Sequence, residues 1–146
     1  MIKSIGAVLV WTLVASAAWA DNLPPVDVYK SPYCGCCGNW VEHMRAAGFK
    51  VRVHDTKNVD QNKAKFGIPY GYGSCHTAEV GGYVIKGHVP ADQVKRLLAS
   101  RSKARGLIVP GMPGTSPGME GTGNPKDHYD VLLLGQDGKM TSYARY

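Results

Sequence analysis

The stretch Val26-Asp27-Val28-Tyr29-Lys30-Ser31-Pro32-Tyr33-Cys34-Gly35-Cys36-Cys37-Gly38-Asn39-Trp40 sets three of the chain's four cysteines between a strand pattern and a helix pattern. Val26 to Lys30 is a short β-prone run, entered from Pro24-Pro25 and closed by Ser31-Pro32. From Cys37 onward Trp40, Val41, Met44 and Ala47 recur at helical spacing, and Gly48 stands where such a helix stops. The sequence therefore predicts a strand, a tight turn, and a helix with the cysteines at its start. Glycines on both sides of the cysteines let partner atoms approach the sulfurs closely.

Working outward, Phe49, Val51 and Val53 alternate with Lys50, Arg52 and His54, which predicts a strand with one buried face. Residues 58–66 read as a polar helical crossover with Asn58 as N-cap, ended by Gly67-Ile68-Pro69. Residues 70–74 are an aromatic, glycine-rich loop leading to the fourth cysteine, Cys75. His76 to Val80 and Tyr83 to Lys86 predict a hairpin joined at Gly81-Gly82. Residues 90–100 predict a helix with Pro90 in its first turn and Val94, Leu97 and Leu98 facing inward. The order β-α-β-(α)-β-β-α places the chain in the α/β class with a thioredoxin-like core, which puts the start of the first helix at the sheet edge. A short apolar run over residues 106–109 follows. Next come a long Gly/Pro-rich loop over residues 110–126 and a C-terminal β-hairpin across Gln136-Asp137-Gly138-Lys139.

The chain begins with Lys3, an apolar run from Ile5 to Ala15, and Ala18-Trp19-Ala20 as a small-x-small cleavage site. Residues 1–20 are thus expected to be a signal peptide, with residues 21–146 forming a single exported domain and no membrane anchor after cleavage. The apolar run is shorter than the about 20 residues a membrane-spanning helix needs. The net charge of +6 falls to +5 without Lys3, and the basic residues are scattered apart from Lys95, Arg96, Arg101, Lys103 and Arg105. Those five gather at the end of a predicted helix, where cations complement the carbonyl end of the dipole, so no nucleic-acid partner is expected.

Two structural disulfides in an oxidising compartment would be the simplest use of four cysteines. The spacing argues against it, because closing Cys34 to Cys37 restrains the unfolded chain by only about 2 kcal/mol, against about 4 for Cys37 to Cys75. Cys34 and Cys37 instead have the C-x-x-C spacing of a redox pair, at a helix start whose amides and dipole favour thiolate. Cys36 is a third thiol inside that pair, and Cys75 precedes the strand that faces the same edge. Converging soft ligands select Cu(I), Zn(II) or an iron-sulfur cluster. Adjacent Cys36 and Cys37 are cramped on one tetrahedral ion, yet they can ligate or bridge separate ions in a small multinuclear thiolate cluster, a geometry natural for Cu(I).

His76 follows Cys75, and His88 sits in Gly87-His88-Val89-Pro90; each is a candidate nitrogen ligand or hydrogen-bond partner, the alternative being an ordinary polar residue at an element end. Met112 and Met119 in the Gly/Pro-rich loop are candidate thioether ligands, the alternative being packing. His43, His54 and His128 read as surface or strand-end residues outside the site.

With these residues assembled, the chain resembles the CopG-like family of small exported copper-resistance proteins. The elements that carry the resemblance are Cys34-Gly35-Cys36-Cys37 with Trp40, then Cys75-His76-Thr77-Ala78, Gly87-His88-Val89-Pro90, and Pro110-Gly111-Met112-Pro113 with Ser116-Pro117-Gly118-Met119-Glu120. The resemblance implies a thioredoxin-like fold, a periplasmic location, copper bound through the four cysteines, and a role in copper redox or transfer during resistance. The expected partners are copper ions and a periplasmic copper transporter, chaperone or reductant. Lys86 departs from the pattern, since an acidic residue is expected before Gly87-His88. Three readings stay open on the residues: a Cu(I) protein whose Cys34 and Cys37 also cycle as catalytic thiols, a thiol-disulfide oxidoreductase for protein substrates, and a passive copper buffer or chaperone.

Overall fold

The computed structural model of the chain describes residues 23–72 and 74–146, so the expected signal segment lies outside the described residues. Along the described chain run β1 (Val26–Lys30), α1 (Gly35–Ala46), β2 (Val51–Asp55), α2 (Val59–Lys65), β3 (His76–Val80), β4 (Tyr83–Lys86), α3 (Ala91–Ser100), β5 (Ala104–Ile108), β6 (Asp130–Gly135) and β7 (Met140–Arg145). The seven strands form one mixed sheet in the order β2-β1-β3-β4-β5-β6-β7. β1 is parallel to β2 and antiparallel to β3, β3 and β4 form the expected hairpin, and β4 is parallel to β5. Among the described residues no helix is long and apolar enough to cross a membrane.

The main core lies on the face covered by α1 and α3. Val26 and Val28 of β1, Ala78 and Val80 of β3, Ile85 of β4 and Leu107 of β5 meet Trp40, Val41 and Met44 from α1 and Val94 and Leu97 from α3. This alternation in β1 and β3 is what a strand with one face against helices requires. Trp40 is fully buried, and its indole N–H donates to the Val89 carbonyl at 2.9 Å, which ties α1 to the segment entering α3. On the opposite face a smaller cluster of Ile68, Val84, Ile108 and Leu134 packs with Phe66 and Tyr72.

Three details differ from the sequence expectations. β2 begins at Val51 and lies at the sheet edge, with Val53 exposed, because the core on the helical face reaches Phe49 and Val51 and stops there. Asn58 occupies the N-cap position of α2 without a side-chain cap; instead its amide donates to Thr56 Oγ1 at 3.1 Å. Pro90 is the N-cap of α3 rather than a member of its first turn. The C-terminal hairpin forms as expected, and because β6 also pairs antiparallel with β5, β6 and β7 extend the same sheet.

His43, expected at the surface, has a structural task. It is half-buried, and its Nε2 accepts the Ala91 amide at 3.0 Å, capping the free N–H end of α3 where Pro90 offers no side-chain cap. Burial holds the imidazole below its ordinary pKa, with the charges of Glu120 and Asp92 partly opposing the shift. Only neutral imidazole can accept this bond. The unfolded chain therefore takes up the proton first as pH falls below about 6.5, and the stabilisation is lost from that point downward. His43→Ala is expected to cost about 1 kcal/mol at pH 7.5, read as a lower denaturant midpoint. The gap to wild type should narrow as pH drops below about 6; a gap independent of pH would contradict the cap.

Candidate metal centre

The site stands where β1 ends and β3 begins. Lys30 pairs with His76 in the antiparallel register, so the turn leaving β1 and the turn entering β3 share one sheet edge. The Ser31-Pro32-Tyr33 turn closes through the Cys34 amide on the Ser31 carbonyl at 3.2 Å, and Cys34 becomes the N-cap of α1. No acidic residue occupies the first turn of α1, leaving the positive end of its dipole directed at the cysteines. Cys37 is buried beneath the turn, while Cys34, Cys36 and Cys75 are half-buried.

The four Sγ atoms lie within 4.8 Å of one another. Cys34 and Cys37 are joined as a disulfide, whereas Cys36 and Cys75 are free. Cys36 Sγ lies 3.3 Å from Cys34 Sγ. Burial, and then the neighbouring Cys75, push the Cys36 thiol up, with the Cys37 amide opposing. A metal entering the site must therefore displace the Cys36 proton. Access is through an open cleft of about 420 Å³ lined by Tyr33, Cys34, Asp60, Lys63 and Cys75.

Met112 joins this group: its Sδ is 3.3 Å from Cys75 Sγ. It arrives on the loop that leaves β5 beside Gly87. There a Cβ would meet the Val109 carbonyl at 2.6 Å, and φ is +74°, so only glycine fits. The same loop crosses the first turn of α1 at Gly118, whose Cβ position lies 2.7 Å from the Trp40 amide nitrogen and 2.9 Å from the Cys36 carbonyl. The loop is tied down throughout. Ser116 Oγ donates to the Pro113 carbonyl at 2.6 Å, the Gly118 amide donates to Glu120 at 2.8 Å, and the Met119 amide donates to the Ser116 carbonyl at 2.9 Å. Met119 itself is buried, and among the described residues no sulfur contact places it with the cysteines.

His76 and His88 lie on the helical face of the sheet, outside the group of four sulfurs. His76 packs against Trp40 with ring centroids 4.5 Å apart and meets the His88 ring edge-on at 5.0 Å. Both are fully buried, and burial holds both below the ordinary histidine pKa, His76 far below, so they are neutral. His88 Nδ1 donates to the Pro117 carbonyl at 2.7 Å, which leaves Nε2 as an acceptor. Among the described residues His88 Nε2 and both nitrogens of His76 have no hydrogen-bond partner. A buried polar atom in that state costs about 1–3 kcal/mol, and a ligand that engages it recovers that cost.

The sequence reading noted Lys86 only as a departure in local charge. In the fold its ammonium is fully buried and donates to the Ser74 carbonyl at 2.8 Å and the His76 carbonyl at 3.2 Å. Burial, reinforced by the charge of Lys63, pulls its pKa down to about 7, with Cys75 and Asp60 opposing. A lysine ending a hairpin strand reads from sequence as a solvated terminus, so only the tertiary contacts reveal it.

Residues 72–119 match the family model described as "Protein of unknown function, DUF411". No curated protein matches the sequence. Two solved structures described as copper resistance protein CopG, forms 2 and 1, are each 41% identical to the chain. Their alignments cover 84% of this chain and 98% of theirs, with TM-scores of 0.79 and 0.77. At that identity, and with nearly the whole of the solved chains matched, the chain belongs to the CopG family of copper resistance proteins.

Proposed function

We propose that this is an exported, periplasmic copper protein with a thioredoxin-like core, holding Cu(I) as its cargo through Cys34, Cys36, Cys37 and Cys75. Binding is coupled to the Cys34–Cys37 disulfide. The observation that carries the reading is the convergence of four sulfur atoms within 4.8 Å, a soft donor set at a helix N-terminus that favours thiolate. The β2-β1-β3-β4 order, with the C-x-x-C pair at the start of α1, supports the thioredoxin-like assignment. The expected leader over residues 1–20 and the copper-resistance role named for the related structures support export and the cargo.

The chemistry follows from the same sulfurs serving two ends. Two Cu(II) ions each take one electron from the Cys34 and Cys37 thiolates, which yields two Cu(I) and one S–S bond. Once that bond exists, two of the four thiolates no longer donate to metal, so oxidation loosens copper and reduction by an external thiol restores the site. Met112, beside Cys75, is assigned as a thioether donor, and the unpartnered nitrogens of His76 and His88 support their place as nitrogen donors toward the same centre. Met119, buried in the same loop and without a sulfur contact among the described residues, is proposed as a donor on its place in the sequence motif alone. A copper transporter, chaperone or reductant of the periplasm is the partner this scheme requires.

A thiol-disulfide oxidoreductase for protein substrates is the second reading, favoured by the observed Cys34–Cys37 bond with Cys34 facing an open cleft. Brisk insulin reduction by metal-free protein, unaffected by Cys75→Ser, would select it over copper.

Reduced protein loaded anaerobically is expected to retain Cu(I) through gel filtration, and replacement of all four cysteines by serine should abolish retention; copper that stays on the serine variant would refute the site. Alkylation followed by peptide mapping should modify Cys36 and Cys75 in oxidised protein and all four cysteines after reduction. Prior Cu(I) loading should protect all four, and unprotected Cys75 in the loaded protein would remove it from the ligand set.

A further inference from the structure

Lys86 closes β4 opposite Thr77, on the sheet face turned away from Trp40. His76, its neighbour across the hairpin, lies on the other face against Trp40. Lysine is rarely fully buried, because an ammonium withdrawn from water requires a counter-charge or a full set of acceptors. Among the described residues Lys86 is buried without an ion pair, and its two contacts are carbonyls.

Which carbonyls they are carries the argument. Ser74 and His76 flank Cys75, so one ammonium grips the backbone immediately before and immediately after the distant cysteine of the site. The Gly87 amide also donates to the His76 carbonyl at 3.3 Å, fixing the same point from the next residue. Cys75 sits in a bend outside the ladder of β3, where strand pairing alone does not set the direction of its side chain. Its sulfur nevertheless lies within 4.8 Å of the other three.

We propose that Lys86 is a positioning residue of the copper site. Its buried amino group clamps the Ser74-Cys75-His76 turn so that Cys75 faces Cys34, Cys36 and Met112. This rests on the copper reading above. Lys86→Gln retains a donor for one carbonyl; Lys86→Met, of similar length, removes the donors to both.

The experiment is a double-mutant cycle on Cu(I) affinity, measured by competition with a chromophoric chelator in reduced protein at pH 7.5. In the parent, Lys86→Met is expected to weaken Cu(I) binding by at least about tenfold, with Lys86→Gln intermediate. In a Cys75→Ser background the same substitutions should change affinity by less than about twofold, because the clamp then holds no ligand. A lysine that only supports the fold would weaken both backgrounds equally, and that result overturns the proposal. So do variants that bind copper as the parent does. Should the variants lack a cooperative unfolding transition, the ¹⁵N resonance of Lys86 Nζ in the parent decides: a shift on Cu(I) loading supports the role, and an unmoved resonance overturns it. A parent that takes up no Cu(I) refutes the copper reading itself, which keeps the two failures apart.

Discussion

The geometry of the sulfur site depends on the antiparallel register of β1 against β3. Val26 opposes Val80 and Val28 opposes Ala78, and all four side chains are buried on the helical face. A slip of one residue would turn that set to the opposite face and strip α1 of its packing surface, so the core enforces the register. Lys30 then necessarily meets His76, and the two turns carrying the cysteines emerge side by side. Apolar packing some residues away thus sets sulfur-to-sulfur distances.

Three further layers act on the cysteines from different directions. The start of α1 brings an uncompensated helix dipole from the chain that carries them. The loop after β5 crosses from above by backbone contact at Gly118 and delivers Met112 to Cys75. Two buried imidazoles pack with Trp40, and Lys86 hydrogen-bonds the carbonyls on either side of Cys75. In the proposed function a Cys34–Cys37 disulfide and a metal-thiolate site are alternative states of this one arrangement, because the sulfurs that form the bond are the sulfurs assigned to the metal. On the proposed copper reading, redox state and metal occupancy would be linked for that reason.

The order of the first seven elements was legible from sequence because period and punctuation agreed: a β-prone run bounded by prolines in β1, helical spacing from Trp40, and paired glycines in the β3–β4 turn. The cysteine site was legible for a different reason, namely that four soft ligands in a fold-consistent order leave few chemical uses. β5 was harder to read, since Arg105 and Gly106 interrupt a run of only a few apolar residues, and its strand character comes from pairing with β4 and β6. The burial of β2 was misjudged because alternation reports a preferred face and says nothing of whether a helix extends far enough to cover it. His43 and Lys86 carry no local signal at all. A histidine on a helix and a lysine at a strand end acquire their roles from carbonyls and amides that are distant in sequence, such as the Ala91 amide and the Ser74 carbonyl.

The central claim is that sulfur, drawn from both turns at once, forms the copper environment. X-ray absorption at the copper edge on anaerobically loaded protein tests it most directly. The account predicts Cu(I) with a first shell dominated by sulfur, and a loss of sulfur scattering when Cys75 is replaced by serine. A shell of nitrogen and oxygen alone, or a spectrum indifferent to Cys75, would contradict it.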